Sequence, residues 1–374
     1  MFGLFKQEKA QSFLGVDIGG GSLKMVELSI GAGHPKLETY GYLERLVDQK
    51  GSVLLDEPQR LAEVIKQVAE KSGVKTKKAI SALPANAVFS AIINLPNITK
   101  EELASPKKLA TAVEWEAKKV VPLPLNEMIL DWKVLENVGA PLGGKPLSGE
   151  KKEDGAPRNV QVLLTGAAKK VVQKYLDGFQ RAGFELISLE TESFALTRAL
   201  LGNDKSTAMI VDLGASDTTV IIVENGIPYI ERSVRQGGKQ LSEAIARSMG
   251  LPVVDAEQFK RDFGTFILGN HKNEMQMPLV LKNFLEPIVN EMRYVLNFFL
   301  EQPGNQNKKV ARIILSGGSA GLLNLGKYLE EVFNIRSFVG NPWARIIYPA
   351  DMQPILDEIG PRFAPAIGLA LRNF

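Results

Sequence analysis

A glycine-rich hairpin near the start of the chain carries the residue types that bind phosphate. An apolar strand within residues 13–28 ends at Asp17, and a turn of three glycines at 19–21 leads through Ser22 into a second strand. Because glycine has no Cβ, the N–H groups of such a turn can close on phosphate oxygens. A carboxylate at the strand end can hold Mg²⁺ through water. The hairpin therefore predicts a phosphate site, with a simple turn as the alternative.

The same pattern returns in the second half of the chain. Residues 208–223 form an apolar strand that ends at Asp212, then Gly214, small hydroxyl residues and a β-branched strand. The two aspartates lie about 195 positions apart. This repeat predicts an internal duplication whose two hairpins face each other across a cleft.

A third glycine motif follows a strand within residues 310–321. There Gly317, Gly318 and Ser319 end the strand, and we expect a helix at 320–332. A glycine pair lets an adenosine lie flat against the backbone. In this order, the three motifs resemble the actin, Hsp70 and sugar-kinase ATPase superfamily. The resemblance implies an α/β, actin-like ATPase fold of the duplicated, ribonuclease H-like type, with two lobes.

The elements that position these motifs follow from apolar periodicity. Residues 190–201 predict a helix that joins the two halves, and residues 364–372 predict the closing helix. A separate strand–helix–strand piece covers 88–95, 107–121 and 128–135. Trp115 in its helix is more often a core residue than a contact residue at such a position.

Composition excludes several classes of function. The chain has 374 residues, net charge +3, no cysteine and two histidines, His34 and His271. A mildly basic chain without a long Lys/Arg run does not predict nucleic-acid binding. The histidine and cysteine counts disfavour a thiolate metal site and a Ser-His-Asp triad. With no apolar run long enough for a membrane span and no signal peptide, we expect a cytoplasmic protein.

Several further motifs resemble the PilM family, actin-like proteins of the type IV pilus inner-membrane platform that are related to the division protein FtsA. They are the first hairpin, the helix with Glu114, Trp115, Glu116 and Ala117 that ends at Pro122-Leu-Pro124, then Asp131, Asn341-Pro342 and the segment 364–372. The resemblance covers essentially the whole chain. It implies a subdomain inserted in the first lobe, as in FtsA and PilM.

The resemblance also implies a division of the chain into subdomains. The expected pieces are a first-lobe core at 1–86, completed by 160–204 and 364–374; an inserted subdomain at 87–159 with a mobile loop at 137–159; a second-lobe core at 205–241, completed by 307–363; and a fourth subdomain at 242–306.

The resemblance implies that ATP and Mg²⁺ bind between the lobes. One phosphate loop would comprise Gly19, Gly20, Gly21, Ser22 and Lys24, and the other Gly214, Ser216, Asp217 and Thr218. Asp17 and Asp212 would hold Mg²⁺ through water, and Glu257 and Lys260 would contact the ribose and base. The implied residues under the adenine are Gly317, Gly318 and Ser319. Glu192 would position the attacking water, with Glu190 as the alternative. On a solvated helix face, Glu257 and Lys260 could also be ordinary surface residues.

The implied partner is the N-terminal cytoplasmic segment of the membrane protein PilN, which would bind near 85–95, Trp115 and 163–167. Membrane attachment would be indirect, and contacts with other pilus platform or motor proteins and self-association are further implications. Whether ATP is hydrolysed stays open, and we expect at most slow turnover. The alternatives are an FtsA-like division filament and a sugar kinase, for which the chain shows no second-substrate motif.

Overall fold

The structure is a computed structural model. It describes residues 11–31, 33–44, 54–135, 158–266, 278–302, 304–322 and 324–374. The predicted loop at 137–159 lies almost wholly outside these ranges, as do His271 and residues 1–10. The strands are β1 Ser12–Ile18, β2 Ser22–Gly31, β3 His34–Glu44, β4 Lys78–Leu83, β5 Val88–Ile98, β6 Met128–Val134, β7 Arg158–Ala168, β8 Glu185–Thr191, β9 Ala208–Leu213, β10 Thr218–Glu224, β11 Ile227–Val234, β12 Ile313–Ser316 and β13 Ser337–Val339. The helices are α1 Pro58–Ser72, α2 Lys100–Ala104, α3 Pro106–Val120, α4 Lys169–Ala182, α5 Glu192–Leu200, α6 Gly238–Met249, α7 Val253–Phe266, α8 Leu279–Glu301, α9 Leu325–Phe333 and α10 Gln353–Ala370.

The first hairpin belongs to a sheet with the strand order β3-β2-β1-β4-β8. β1 pairs antiparallel with β2, and β2 pairs antiparallel with β3. The pairs β1–β4 and β4–β8 are parallel. β1 is buried from Phe13 to Ile18, as expected of a continuous apolar strand covered on both faces. Its carboxyl end places Asp17 opposite Lys24 of β2.

The second hairpin belongs to a sheet with the order β11-β10-β9-β12-β13. The strand directions repeat those of the first sheet: β9–β10 and β10–β11 are antiparallel, and β9–β12 and β12–β13 are parallel. Asp212 lies opposite Thr219 of β10 and Ser316 of β12. Two sheets with the same order and directions confirm the predicted duplication.

Helices α5 and α10 pack beside the first sheet and share a core with the second. This core includes Val26 and Leu28 of β2, Ile210 of β9, Leu196 of α5 and Phe363 of α10, all at most 2% exposed. Such close-packed apolar burial is the main stabilising term in folding. The two sheets are therefore held together by one continuous apolar cluster.

Helix α10 is longer than predicted, since it begins at Gln353 and not at residue 364. The sequence argues against this extension because Pro361 and Pro365 lie inside the helix, and an interior proline removes a backbone hydrogen bond. The carbonyl of Pro361 would normally accept from the N–H four residues later, but residue 365 has none. It accepts instead from the Gly317 N–H at 2.9 Å and from the Ser316 hydroxyl at 3.0 Å.

The described chain divides into two compact units. The first comprises 1–85, 174–299 and 308–374, and it holds both sheets described above. The second comprises 86–173 and 300–307. It contains the sheet β5-β7-β6 with α3 packed through Leu109, Val113 and Ala117 onto its strands. The subdomain limits given by the resemblance stay a prediction.

Candidate functional site

The tips of the two predicted phosphate hairpins lie against each other. In the first, the Gly19 N–H donates to Ser22 O at 2.9 Å, and in the second, the Gly214 N–H donates to Asp217 O at 3.0 Å. A Cβ built on Gly20 would lie 3.2 Å from Ser216 Oγ. One built on Gly21 would lie 2.9 Å from the Cβ of Ala215, closer than real Cβ atoms approach. Glycine is required at this position so that the tips can approach.

A buried ion pair lies at the base of the first hairpin. Lys24 Nζ donates to Asp17 Oδ2 at 2.8 Å, and the two side chains are 13% and 7% exposed. Burial works to lower the pKa of Lys24, but the Asp17 carboxylate and the more distant charges of Asp212 and Glu192 raise it above its ordinary value. Lys24 therefore stays protonated and neutralises Asp17.

Asp212 at the base of the second hairpin is less well compensated. Its Oδ1 is buried without a hydrogen-bond partner in the structure. Burial, with the nearby charge of Asp17, raises the pKa of Asp212 to about 6, although the charge of Lys24 opposes this rise. An unpartnered buried carboxylate oxygen is costly unless a cation or water satisfies it. The residues thus fit a hydrated Mg²⁺ held between Asp17 and Asp212.

Direct coordination of a metal ion by several side chains would need a cluster of ligand residues. Within the described residues, no group of three or more His, Cys, Asp or Glu side chains could ligate an ion. The prediction placed Mg²⁺ on the aspartates through water, an arrangement that needs no such group. The Mg²⁺ site stays a prediction.

Glu192 lies at the start of α5, and charged residues of both sheets affect its pKa. Burial raises its pKa well above the ordinary value, and the carboxylates of Asp17, Asp212 and Glu231 raise it further, while Lys24 opposes them. Next to it, the Ser193 hydroxyl donates to Glu231 Oε2 at 2.9 Å. The Glu192 carboxyl thus belongs to a buried acidic cluster, where a proton is held tightly.

The alternative residue, Glu190, has a different environment. It lies on β8, because the helix predicted from residue 190 begins only at Glu192. Its carboxylate pairs with Arg198 at 2.8 Å and with Arg372 at 3.1 Å. The two guanidinium groups balance the charge of Glu190, so these ion pairs give the residue a structural role.

Tyr175 of α4 is a buried polar residue, influenced by the charges of Glu192 and Asp17, that the sequence analysis did not single out. Its side chain is fully buried, and its hydroxyl has no hydrogen-bond partner in the structure. Burial and the negative charges of Glu192 and Asp17 raise its pKa. Tyrosine on the apolar face of an amphipathic helix is indistinguishable in sequence from an ordinary core residue, so no signal could have found it.

The residues predicted for the nucleoside meet at the start of α6. Lys260 Nζ lies 2.7 Å from Glu257 Oε2 and donates to the Gly238 carbonyl at 2.9 Å. A Cβ built on Gly238 would lie 3.1 Å from Ser319 Oγ. Burial lowers the pKa of Lys260, and its bond to Glu257 partly offsets this effect. Glu257, Lys260 and the third glycine motif therefore line the same corner of the second lobe.

The turn after β12 depends on a glycine in the left-handed region. Gly317 has φ +89°, and a Cβ built there would lie 2.3 Å from Leu213 O. The helix predicted at 320–332 begins only at Leu325. Ala320 and Leu322 instead make tight-turn bonds, their N–H groups donating to Gly317 O and Ser319 O at 3.2 Å. The glycine pair leads into a turn, and the prediction of an immediate helix was wrong.

The second unit carries an open groove of its own, with a volume of about 310 Å³. Trp115 on α3 lines it and is 66% exposed, so the expectation of a core tryptophan was wrong. Lys118 lies over its ring at 5.3 Å, which stabilises an exposed aromatic face. The lining comprises Leu95, Pro96, Ile98, Glu102, Lys108, Thr111, Ala112, Trp115 and Glu116.

Comparison with known proteins gives the family. A model of the type IV pilus assembly protein PilM family matches residues 15–374. The chain belongs to the PilM family. A solved structure described as the PilM-PilN type IV pilus biogenesis complex is similar, with TM-score 0.75, 28% identity and 96% and 97% coverage of this chain and that one. The predicted membership of the PilM family and the actin-like fold are confirmed.

More distant relatives agree with this placement. The cell division protein FtsA of Bacillus subtilis (strain 168) is 22% identical over 317 residues, which cover 79% of this chain and 70% of the relative. MreB 5 of Spiroplasma citri, solved with AMPPNP, has TM-score 0.50 at 14% identity, with 96% and 94% coverage. At that identity the likeness to MreB shows the fold alone.

Among the described helices of this PilM-family chain, none has the length and apolar character to cross a membrane.

Proposed function

We propose that the chain is an ATP-binding scaffold of a type IV pilus assembly machine. The observation that carries the nucleotide half is the contact between the two hairpin tips above Asp17 and Asp212, with Asp212 Oδ1 buried and unpartnered among the described residues. The MreB 5 structure was solved with AMPPNP, which supports the same half. Bound Mg²⁺ would neutralise the phosphate charge, and the hairpin N–H groups and glycines would hold the phosphates.

The proposed partner is the N-terminal cytoplasmic segment of PilN, which would place the chain at the inner face of the cytoplasmic membrane. The similar PilM-PilN complex supports this partner. In the second unit, β7 is the central strand, so the backbone of residues 163–167 is already paired with β5 and β6. The exposed Trp115 and the apolar groove residues offer side-chain contacts instead. Large aromatic residues in grooves contribute most to such binding.

The test is a titration of the purified protein with a labelled PilN N-terminal peptide from the same organism, with and without Mg·ATP. We expect saturable binding that weakens at least about tenfold in Trp115→Ala, since truncation of a buried anchor typically costs about 2 kcal/mol or more. Leu123→Ala is the matched control, because Leu123 is an exposed apolar residue of the same unit that does not line the groove.

The outcomes separate the two halves of the proposal. Unchanged binding in Trp115→Ala would remove the groove from the peptide site. No peptide binding in a protein that binds Mg·ATP would reject the PilN partner and favour an FtsA-like filament or a kinase. A change in peptide affinity with Mg·ATP would establish coupling between the cleft and the peptide site.

A further inference from the structure

Lys239 is held rigidly against the second hairpin at the start of α6. The N–H groups of Gly238 and Lys239 each donate at 2.9 Å, to Gly214 O and Ala215 O respectively. A Cβ built on Gly237 would lie 2.7 Å from the carbonyl carbon of Ser216. These two hydrogen bonds and the close main-chain packing place the backbone of Lys239 directly beside the second hairpin.

The side chain of Lys239 crosses from the second hairpin to the first. Its Nζ donates to Gly20 O at 3.1 Å, and its Cε lies 3.8 Å from a Cβ built on Gly21. The side chain is exposed. The ammonium therefore lies at the junction of the two hairpin tips, where solvent and ligand can reach it.

The other two lysines assigned to the nucleotide already hold carboxylates. Lys24 pairs with Asp17 at 2.8 Å, and Lys260 pairs with Glu257 at 2.7 Å. The contact recorded for Lys239 is with a neutral carbonyl, which uses one of its three N–H donors. A phosphate oxygen in its place would bring a negative charge, so the ammonium would gain an ion pair that the neutral carbonyl does not offer.

We propose that Lys239 binds the terminal phosphate of a nucleoside triphosphate and so distinguishes it from a diphosphate. The inference rests on the proposed ATP site. The residue next to Lys239, Gly238, adjoins Ser319 and Lys260 at the nucleoside corner. From there the side chain runs to Gly20, so its ammonium marks the far end of the phosphate chain. In this position Lys239 is a specificity-determining residue that reads the number of phosphates.

The test measures the dissociation constants of a non-hydrolysable ATP analogue, ADP and adenosine, all with Mg²⁺, by calorimetry on the full chain. In Lys239→Gln we expect about tenfold weaker binding of the triphosphate, as for loss of one bond to a charged group. The affinity for ADP should change less than about twofold, because a diphosphate lacks the terminal phosphate that Lys239 would bind. Lys66→Gln, on the exposed face of α1, removes the same charge elsewhere and should change neither.

Restored discrimination in Lys239→Arg would support the inference, because arginine keeps the charge and reach. Equal losses for triphosphate and diphosphate in Lys239→Gln, or no loss, would overturn it while leaving the ATP site intact. A wild-type protein that binds neither nucleotide would reject the proposed function and this inference together. A loss in Lys66→Gln equal to that in Lys239→Gln would attribute the effect to net charge and overturn the assignment.

Discussion

Single residues of the cleft show an excess of buried negative charge. Asp17 is balanced by Lys24, whereas Asp212 Oδ1 and Glu231 Oε1 are buried without hydrogen-bond partners in the structure. Burial raises the pKa of Glu231 to about 6, and the hydrogen bond from Ser193 only partly opposes it. Such carboxyl groups lower the stability of the fold at neutral pH. Sites of this kind exchange stability for ligand binding.

The pH dependence of unfolding tests this cost at Glu231. A raised folded-state pKa means that the folded protein binds the proton more tightly, so the stabilising contribution is full below the ordinary value of 4.5 and is lost as pH rises through about 6. Glu231→Gln removes the charge and keeps an acceptor for Ser193. At pH 7 we expect the variant to be more stable than wild type by about 2 kcal/mol, and at pH 4 the difference should vanish.

Urea unfolding of the two proteins at both pH values measures the difference. Glu63→Gln, on the exposed face of α1, is the control and should show no pH-dependent gain. A Glu231→Gln difference that is the same at pH 4 and pH 7 would contradict the assignment of a raised pKa.

At the scale of elements, α10 connects the first sheet to the third glycine motif. Pro365 lacks an N–H, so the Pro361 carbonyl is available to Gly317 and Ser316. The same helix crosses α5 at close range, since a Cβ built on Gly368 would lie 1.9 Å from Ala195 O. An interior proline and a glycine, both unfavourable in isolated helices, are here explained by contacts of α10 with its neighbours.

Gly368→Ala tests this packing. In an open helix the change would stabilise by up to about 1 kcal/mol, because alanine is the better helix former. At this crossing the new Cβ meets the backbone of α5, and we expect destabilisation of at least about 1–3 kcal/mol. Thermal or urea unfolding measures it. Gly321→Ala is the control, because no heavy atom of the described residues lies within 4 Å of a Cβ built there. A neutral or stabilising Gly368→Ala would show that the helices separate without cost.

At the scale of the whole molecule, the electrostatic environment of Glu192 depends on both duplicated halves. The raised pKa of Glu192 has burial as its first cause, followed by Asp17 from the first sheet and then by Asp212 and Glu231 from the second. Neither half alone would supply this electrostatic field. The proposed role of Glu192 on the attacking water needs an ionised carboxylate, so a pKa held well above the ordinary value predicts slow turnover.

Any ATP turnover at the proposed site should therefore rise with pH as Glu192 loses its proton. Phosphate release at saturating Mg·ATP would measure it, with nucleotide binding checked separately. We expect Glu192→Gln to bind ATP and to lose about 10²-fold or more in turnover, the usual contribution of a general base. Glu190→Gln is the matched control and should retain turnover. Unchanged turnover in Glu192→Gln would remove it from the mechanism, and a loss confined to Glu190→Gln would assign the role there.

The sequence by itself determined the duplicated architecture. Two apolar strands that each end in Asp and glycine depend on local backbone requirements, which are visible in the sequence. Both motifs are found at equivalent places in two sheets of the same strand order. The family was also readable from local motifs spread over the chain, and its model matches residues 15–374. Helix limits were predicted less well where a neighbouring element satisfies what the local chain lacks, as at Pro361 and Pro365.

Only the tertiary structure decided the environment of each candidate side chain. Glu190 and Glu192 are two positions apart in the chain, but one pairs with arginines and the other enters the acidic cluster. Likewise Tyr175 and Lys239 carry no motif, and Trp115 is exposed although its helix is amphipathic. Burial, charge pairing and contact across a fold depend on residues far apart in sequence, and periodicity reports only the near neighbours along one element.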